Sequence, residues 1–333
     1  VKATRETYGE TLKILGRDYP SLVVLDADLA KSTKSEKFGE AYPERFFECG
    51  IAEGNMVGVA AGLGLAGFRP FVSSFGCFLT GRFEQIRVSV AYMQSPVVLV
   101  GTHSGVCIGE DGHSQMALED IGLMRTQPNM HILQPTDSID TPQIVKYLAE
   151  TRLYAYLRLT RQKVMDILPN TYVFRPYEGV YFEDTSLPGE ADILLFASGG
   201  PAAAALQAAR ILIKERIKIG FVVLNCVWPV SHEWLRQIIL PSVKGLVSVE
   251  DHYITGGIGT MLMEQCPVPK PFLRLGVTTF GQSGSEQDLA KHYGLDTDSI
   301  VSKVLGFHGA LETNQLHLVQ EGLLRQGGMT RHL

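Results

Sequence analysis

Glu53 opens a run of glycine and alanine, Ile51-Ala52-Glu53-Gly54-Asn55-Met56, which continues through Val57-Gly58-Val59-Ala60-Ala61-Gly62. Downstream, Ser73-Ser74-Phe75-Gly76-Cys77-Phe78 places two aromatic rings close together on the next segment. A lone carboxylate at the mouth of a small-residue helix, followed by such rings, is suited to hold a flat nitrogen heterocycle. The same acid also favours the helix macrodipole with no ligand at all. Taken alone, these residues leave both readings open.

Other candidate motifs carry less. Gly62-Leu63-Gly64-Leu65-Ala66-Gly67 has the spacing of a dinucleotide fingerprint, but it ends a helix and precedes a strand, the reverse of the order that fingerprint needs. Thr255-Gly256-Gly257-Ile258-Gly259 has two readings, backbone N–H groups facing an anion or, more commonly, close helix packing. Gly281-Gln282-Ser283-Gly284-Ser285 lacks the spacing of a nucleophile elbow. The nine histidines form no ligand pair at helical spacing, so no protein-borne catalytic metal is expected.

Positioning such groups requires a sizeable scaffold, and the composition supplies one. At 333 residues, 45% hydrophobic and 20% charged, the chain has the make-up of a globular enzyme with room for two domains. A net charge of -5, with no basic cluster denser than Lys31-Ser32-Thr33-Lys34, argues against nucleic-acid binding. Five scattered cysteines without a CxxC pair point to a reducing, cytoplasmic setting. No apolar run reaches the roughly 18 residues of a membrane span. Val1-Lys2-Ala3-Thr4-Arg5 does not read as a signal peptide, and a few residues are expected to have been trimmed ahead of it.

Short β-branched runs alternate with helical stretches, which predicts α/β architecture: two consecutive open, mostly parallel sheets with helices on their faces. Leu22-Val23-Val24-Leu25 and Pro96-Val97-Val98-Leu99-Val100 read as buried strands, as does the weaker His131-Ile132-Leu133. Thr4 to Arg17, Glu53 to Ala66 and Phe83 to Met93 read as helices, and Pro135-Thr136-Asp137-Ser138 as a helix start. Prolines, glycines and Asp/Asn/Ser residues break the pattern between Val164 and Leu187. The expected division is a first domain over 1–165, a linker over 166–187, a second domain over 188–309 and a polar tail over 310–333. In the second domain, Asp192 to Phe196, Ile219 to Leu224 and Gly245 to Val249 read as strands, and Ala202 to Glu215 as a helix.

The chain resembles the C-terminal half of the transketolase family, its pyrimidine-binding and C-terminal domains. The likeness is carried by Phe47 to Glu53, Ser74 to Arg87, Gly101 to Arg125, Leu159-Thr160-Arg161-Gln162, Val249-Glu250-Asp251-His252 and Phe280 to Gly284, in that order. The resemblance implies thiamine diphosphate as cofactor. Glu53 would share a proton with its aminopyrimidine ring, while Phe75, Phe78, Ile51 and Asp28 line the cofactor. It also implies a sugar-phosphate grip from Arg5, Ser32, His103 and Arg161, with His103 counted among the catalytic groups and Asp111 and Gln115 contacting the sugar.

Two positions depart from the family pattern. Gln115 stands where many bacterial members have histidine, and His113 where proline is usual, so His113 is left either as a loop residue or as facing the sugar. The Gly-Asp-Gly and asparagine that hold the diphosphate through Mg2+ (or Ca2+) do not occur. The resemblance therefore implies half an enzyme: the C-terminal subunit of a split transketolase that moves a two-carbon ketol unit between sugar phosphates. Its expected partner is an N-terminal subunit carrying the metal and diphosphate, in an α2β2 heterotetramer. Alternatives are the β subunit of a 2-oxo acid dehydrogenase E1 component, a deoxyxylulose-phosphate synthase-like enzyme, and a catalytically silent scaffold subunit. The identity of the sugars, and whether the pathway is primary or specialised, stay open.

Overall fold

A computed structural model describes residues 1–313 and 315. Twelve strands form two sheets: β1 Leu22–Asp26, β2 Phe46–Glu48, β3 Arg69–Phe75, β4 Val98–Thr102, β5 His131–Leu133, β6 Ala155–Arg158, β7 Val180–Tyr181, β8 Ile193–Ser198, β9 Ile219–Val223, β10 Cys226–Trp228, β11 Gly245–Tyr253 and β12 Phe272–Val277. The first sheet runs β10-β5-β6-β4-β3-β1-β2 and the second β12-β11-β8-β9-β7. Within each, every pairing is parallel except the edge pairs β10–β5 and β7–β9. Strands β1, β3, β4, β6, β8 and β9 are buried along their whole length, as strands covered by helices on both faces must be.

Several elements were not read from the sequence. β6 lies between β4 and β5 at the heart of the first sheet, yet Ala155-Tyr156-Leu157-Arg158 mixes a charge into a short apolar run. β7 falls inside the stretch expected to be linker. β10 comes from the second half of the chain but completes the edge of the first sheet, so the two halves are knitted together there. The segment after Phe83 starts as a short helix, Phe83–Gln85, and then widens into π-helical turns over Ile86–Tyr92. The last helix, Thr297–Thr313, runs beyond Gly309. The remainder of the expected tail, residue 315 aside, lies outside the described residues.

The glycines of the helix Glu53–Leu65 differ in their surroundings. Only Gly64 is tightly packed, since an added Cβ would meet Ser95 Oγ at 2.5 Å. Gly58 and Gly62 face open space, and with Val59 and Leu65 they are exposed. Among the described residues nothing closes this small-residue face.

The two sheets meet around Arg158, among the bulkiest of the wholly buried side chains. Its Nε donates to Asp120 Oδ2 at 2.7 Å, and Nη2 donates to the carbonyls of Ala117 (2.9 Å) and Asp251 (2.8 Å). Tyr156 Oη donates to the same Asp120 oxygen at 2.8 Å, in space kept free by Gly101, whose added Cβ would lie 2.1 Å from that hydroxyl. His252 Nδ1 donates to the Tyr253 carbonyl at 2.6 Å and Nε2 accepts the Gly122 N–H at 3.4 Å, so the ring is neutral beside Asp120. Burial lowers its pKa to about 4. Asp251 accepts the Val106 N–H at 2.6 Å, tying β11 to the loop after β4.

This arrangement sets the price of removing one partner. Asp120→Ala should leave the Arg158 guanidinium buried without its counter-charge, lowering unfolding free energy by about 3–5 kcal/mol. Urea or thermal denaturation measures the loss; a change below about 1 kcal/mol would show that the pair is dispensable.

Candidate functional site

The parallel strands β6, β4, β3 and β1 lie side by side, and the polypeptide leaving their carboxyl ends builds the site, the usual location for ligands of an open α/β sheet. β1 leads to Asp28 and Ser32, β3 ends at Phe75, β4 leads to His103 and β6 leads to Arg161. Arg5 joins them from the first turn of the helix Thr4–Asp18. Its placement follows from a reciprocal threonine pair. The Thr160 N–H donates to Thr4 Oγ1 at 2.8 Å, the Thr4 N–H to Thr160 Oγ1 at 3.3 Å, and the hydroxyls lie 3.1 Å apart. Arg5 and Arg161 each follow one of these threonines, so the stitch brings both guanidiniums to the same place.

A cleft of about 580 Å³ opens there. Arg5, Ser32, His103, Asp111, Gln115 and Arg161, all expected from the sequence to bind substrate, line it together. Phe75 forms part of its wall. Lys31 and Lys34 line it as well and were missed: in the sequence they read only as the densest part of a sparse basic pattern. The signal that would have found them is their adjacency to Ser32.

Three residues with side chains adopt left-handed backbone around this cleft: Asp28 (φ 61°), Lys34 (φ 71°) and His103 (φ 57°). Such conformations are strained for anything but glycine and persist only where neighbours enforce them. Asp26 enforces the loop after β1. Its buried carboxylate accepts from Thr33 Oγ1 (2.7 Å), Ser35 Oγ (2.8 Å) and the Leu29 N–H (2.8 Å). Burial still pushes its pKa up to about 6 against those bonds. The Ser32 carbonyl in turn accepts from Arg5 Nη1 at 2.8 Å.

His103 is buried and held at both nitrogens. Nε2 lies 3.2 Å from Arg5 Nη1, and a guanidinium is only a donor, so Nε2 accepts. Nδ1 therefore carries the proton and donates to Thr102 Oγ1 at 3.0 Å, whose hydroxyl donates onward to the Ser74 carbonyl at 3.2 Å. Burial first, then the Arg5 and Arg161 charges, depress its pKa to about 2. The ring stacks on Phe75 at 3.6 Å between centroids, and Phe75 stacks on Phe78 at 5.4 Å.

Electrostatically the cleft is built for an anion. Burial, and next the charge of Arg161, lower the pKa of Arg5. Two guanidiniums thus converge with little between them but Asp111, whose Oδ2 lies 3.7 Å from Arg161 Nε. Arg161 also donates through Nη1 to the Ile108 carbonyl, which fixes its direction.

The residues expected at the heterocycle are arranged differently. Glu53 is buried at the first position of its helix, and among the described residues its neighbour of opposite charge is Arg82, with Nη2 3.8 Å from Oε2. Glu53, Phe78, Asp28 and Ile51 do not line the 580 Å³ cleft. Asp28 is exposed, with its N–H donating to Glu48 Oε1 at 2.7 Å. Ile51 is 83% exposed. A buried carboxylate with acceptor capacity to spare and an aromatic stack ending in the half-buried Phe78 supply the two kinds of contact an aminopyrimidine takes, hydrogen bonds at its edge and rings at its face. Among the described residues no group of three or more His, Cys, Asp or Glu side chains is placed to hold a metal ion. No described helix is long and apolar enough to cross a membrane.

Two motifs find structural explanations. His113 turns away from the cleft: its Nδ1 accepts the Gly281 N–H at 3.1 Å and its ring meets Phe280 edge-on at 5.0 Å, clasping the loop after β12. Ser283 Oγ donates to the Glu110 carbonyl at 2.6 Å in the same clasp. The glycine-rich start of the helix Ile258–Gln265 packs closely, a Cβ added at Gly259 lying 2.4 Å from Ser248 Oγ, and it faces the buried carboxyl of Glu250, which accepts the N–H groups of Ile258 (2.7 Å) and Gly259 (3.1 Å).

Two family descriptions match the chain: "Transketolase, pyrimidine binding domain" over residues 1–166, and "Transketolase, C-terminal domain" over 186–300. A putative transketolase C-terminal section from Methanocaldococcus jannaschii is 40% identical over 311 residues, covering 91% of this chain and 96% of that protein. Human transketolase is 35% identical over 312 residues, and there the match spans 49% of the relative's length. Among solved structures, one described as a split gene transketolase, inactive beta4 tetramer, superimposes with a TM-score of 0.82 at 37% identity, over 95% of this chain and 99% of that one.

The bonding of His103 makes a pH prediction. Its folded pKa lies far below the ordinary value of about 6.5, so the unfolded chain binds the proton first as pH falls. Its contribution to stability is complete above about pH 6.5 and declines as pH drops from there toward 2. In NMR, the ring resonance lost in His103→Gln should not titrate between about pH 8 and 5; a midpoint near about 6.5 would contradict the bonding described.

Proposed function

The chain belongs to the transketolase family, and on that premise we propose that it is the C-terminal subunit of a split, thiamine diphosphate-dependent transketolase. It would transfer a two-carbon ketol unit from a ketose phosphate to an aldose or aldose phosphate. The observation that carries this reading is the convergence of Arg5, Ser32, His103, Asp111, Gln115 and Arg161 on one cleft. A 2-oxo acid would have no use for such a phosphate grip.

When bound, thiamine diphosphate supplies the carbanion chemistry that accepts and releases the two-carbon unit. The rest falls to this chain's residues. Glu53 shares a proton with the pyrimidine ring nitrogen through its carboxylate oxygens, a role suited to a buried acid with free acceptor sites. Phe75 and Phe78 offer ring faces to the heterocycle. Arg5 and Arg161 take the substrate phosphate in charge-assisted hydrogen bonds, and Ser32 adds a hydroxyl. His103, neutral with its proton on Nδ1, accepts from Arg5 at Nε2 and so aims that guanidinium at the substrate, while Asp111 and Gln115 bind sugar hydroxyls.

The site is completed by another chain in this reading. Glu53 and Phe78 lie outside the cleft, and the open face of Gly58, Val59, Gly62 and Leu65 is shaped for close approach of a second surface. A partner carrying Mg2+ (or Ca2+) and the diphosphate, in an α2β2 heterotetramer, would cover both. The related split gene protein is described as inactive as a beta4 tetramer, which agrees with such dependence. The five unpaired cysteines suit a reducing, cytoplasmic setting.

Steady-state assay gives two tests. This chain alone, with thiamine diphosphate and Mg2+, should show negligible turnover, and the reconstituted complex should lose nearly all activity on Glu53→Gln. Full activity without a partner, or an unchanged rate in the variant, would remove the proposal.

Arg161→Ala provides a sharper measurement. Loss of a charged hydrogen bond is worth about 1.5 to 3 kcal/mol, so kcat/KM for phosphorylated acceptors should fall roughly ten- to a hundredfold. Glycolaldehyde, which carries no phosphate, should be almost unaffected when the donor half-reaction is not limiting. Equal losses for both acceptors would mean that Arg161 supports the fold.

A further inference from the structure

The cleft carries more positive charge than one phosphate engages. Its lining sets four cationic side chains, Arg5, Arg161, Lys31 and Lys34, against a single carboxylate, Asp111. Two guanidiniums are enough for a phosphate dianion, and the lysines belong to a different element, the short helix Ala30–Thr33 after β1 and its C-cap Lys34.

Lys34 is held there against its own backbone preference, at φ 71°. The helix Thr4–Asp18 presses on it: a Cβ added at Gly9 would lie 2.3 Å from the Lys34 carbonyl oxygen. Arg5 and Gly9 are one helical turn apart on the same face, so the contact that fixes Lys34 also sets its distance from Arg5. The Lys34 ammonium has a loose contact with Glu36, 3.9 Å from Nζ to Oε1, and Lys31 is exposed. Both keep donors for a ligand.

We propose that Lys31 and Lys34 form a second anion subsite, so that the cleft selects sugar substrates whose distal end bears two anionic groups. One phosphate engages Arg5 and Arg161, and a second phosphate or a carboxylate engages the lysine wall. Calling the ligand a substrate rests on the transketolase reading; the binding of two anionic groups does not.

Isothermal titration of the full chain with inorganic phosphate, inorganic diphosphate and 3-phosphoglycerate tests this. At least one of the two-anion probes should bind about tenfold more tightly than phosphate, the gain expected from one added charge-assisted contact. The tighter of the two identifies the second group. The preference should vanish in the double variant Lys31→Ala/Lys34→Gly while phosphate still binds, and Arg161→Ala should weaken all three ligands. Glycine suits the left-handed backbone at position 34 better than lysine does, so loss of preference cannot be assigned to misfolding. Equal affinity for all three probes in the wild type, or a preference that survives in the double variant, overturns the proposal. Failure of the split-transketolase reading would show separately, as absence of ketol transfer by the wild-type complex, and would leave the titrations standing.

Discussion

The buried ion pair of Arg158 and Asp120 is the constraint on which the other parts depend. Arg158 ends the central strand β6, Asp120 begins a helix beyond the long loop after β4, and the same guanidinium reaches the Asp251 carbonyl at the end of β11. Two ions removed from water are tolerated only where further hydrogen bonds satisfy them; Tyr156 donates to Asp120, and the Ala117 and Asp251 carbonyls accept from Arg158. The pair therefore fixes three segments at once. Those segments lead directly to Arg161 and to the loop that carries Asp111 and Gln115.

From this anchor the cleft is assembled by polar contacts between backbone-proximal groups. The Thr4–Thr160 stitch aligns the two arginines, Asp26 braces the loop of Ser32 and the lysines, and Thr102 fixes the tautomer of His103. Each bracing group is buried and each presented group is less so or faces the cleft. The division reflects opposite demands: a brace must be desolvated to be rigid, whereas a ligand-binding charge must stay available. Electrostatics then follow from placement, with positive charge accumulating because the nearby carboxylates Asp26 and Asp251 are turned inward to backbone and hydroxyl donors.

The aromatic row His103–Phe75–Phe78 leads outward from this cleft. One ring of that row, Phe75, lines the cleft, and another, Phe78, lies outside it. A two-part ligand, with its charged end at the arginines and its reacting end near a heterocycle, would be spanned by the row. Meanwhile the glycine face of the Glu53 helix stays open, an unusual use of small residues within one chain. In the proposed assembly that openness is the docking surface for the missing half.

How much of this was legible in the sequence depends on how local the determining physics is. The long buried strands follow from uninterrupted apolar runs, because their burial is uniform, and the helices at Thr4 and Ala202 from a periodicity that their lengths suffice to show. The family likeness and the identities of the cleft residues were likewise readable, since each sits in a short run whose order along the chain was distinctive. Position in space was not. That Lys31 and Lys34 share a cleft with Arg5 depends on Gly9 admitting the Lys34 backbone, a contact between segments with no shared pattern. That His113 clasps Phe280 rather than facing a sugar, and that Glu250 is the carboxyl at the Gly257 helix start, are long-range pairings of the same kind. β10 crosses to the first sheet, and β7 pairs from within an apparent linker, because an unfilled sheet edge accepts any strand that reaches it. The sequence by itself determined which chemical groups are available and which segments are helix or strand; the tertiary structure alone decided which groups meet, because that is set by packing and desolvation between residues distant in the chain.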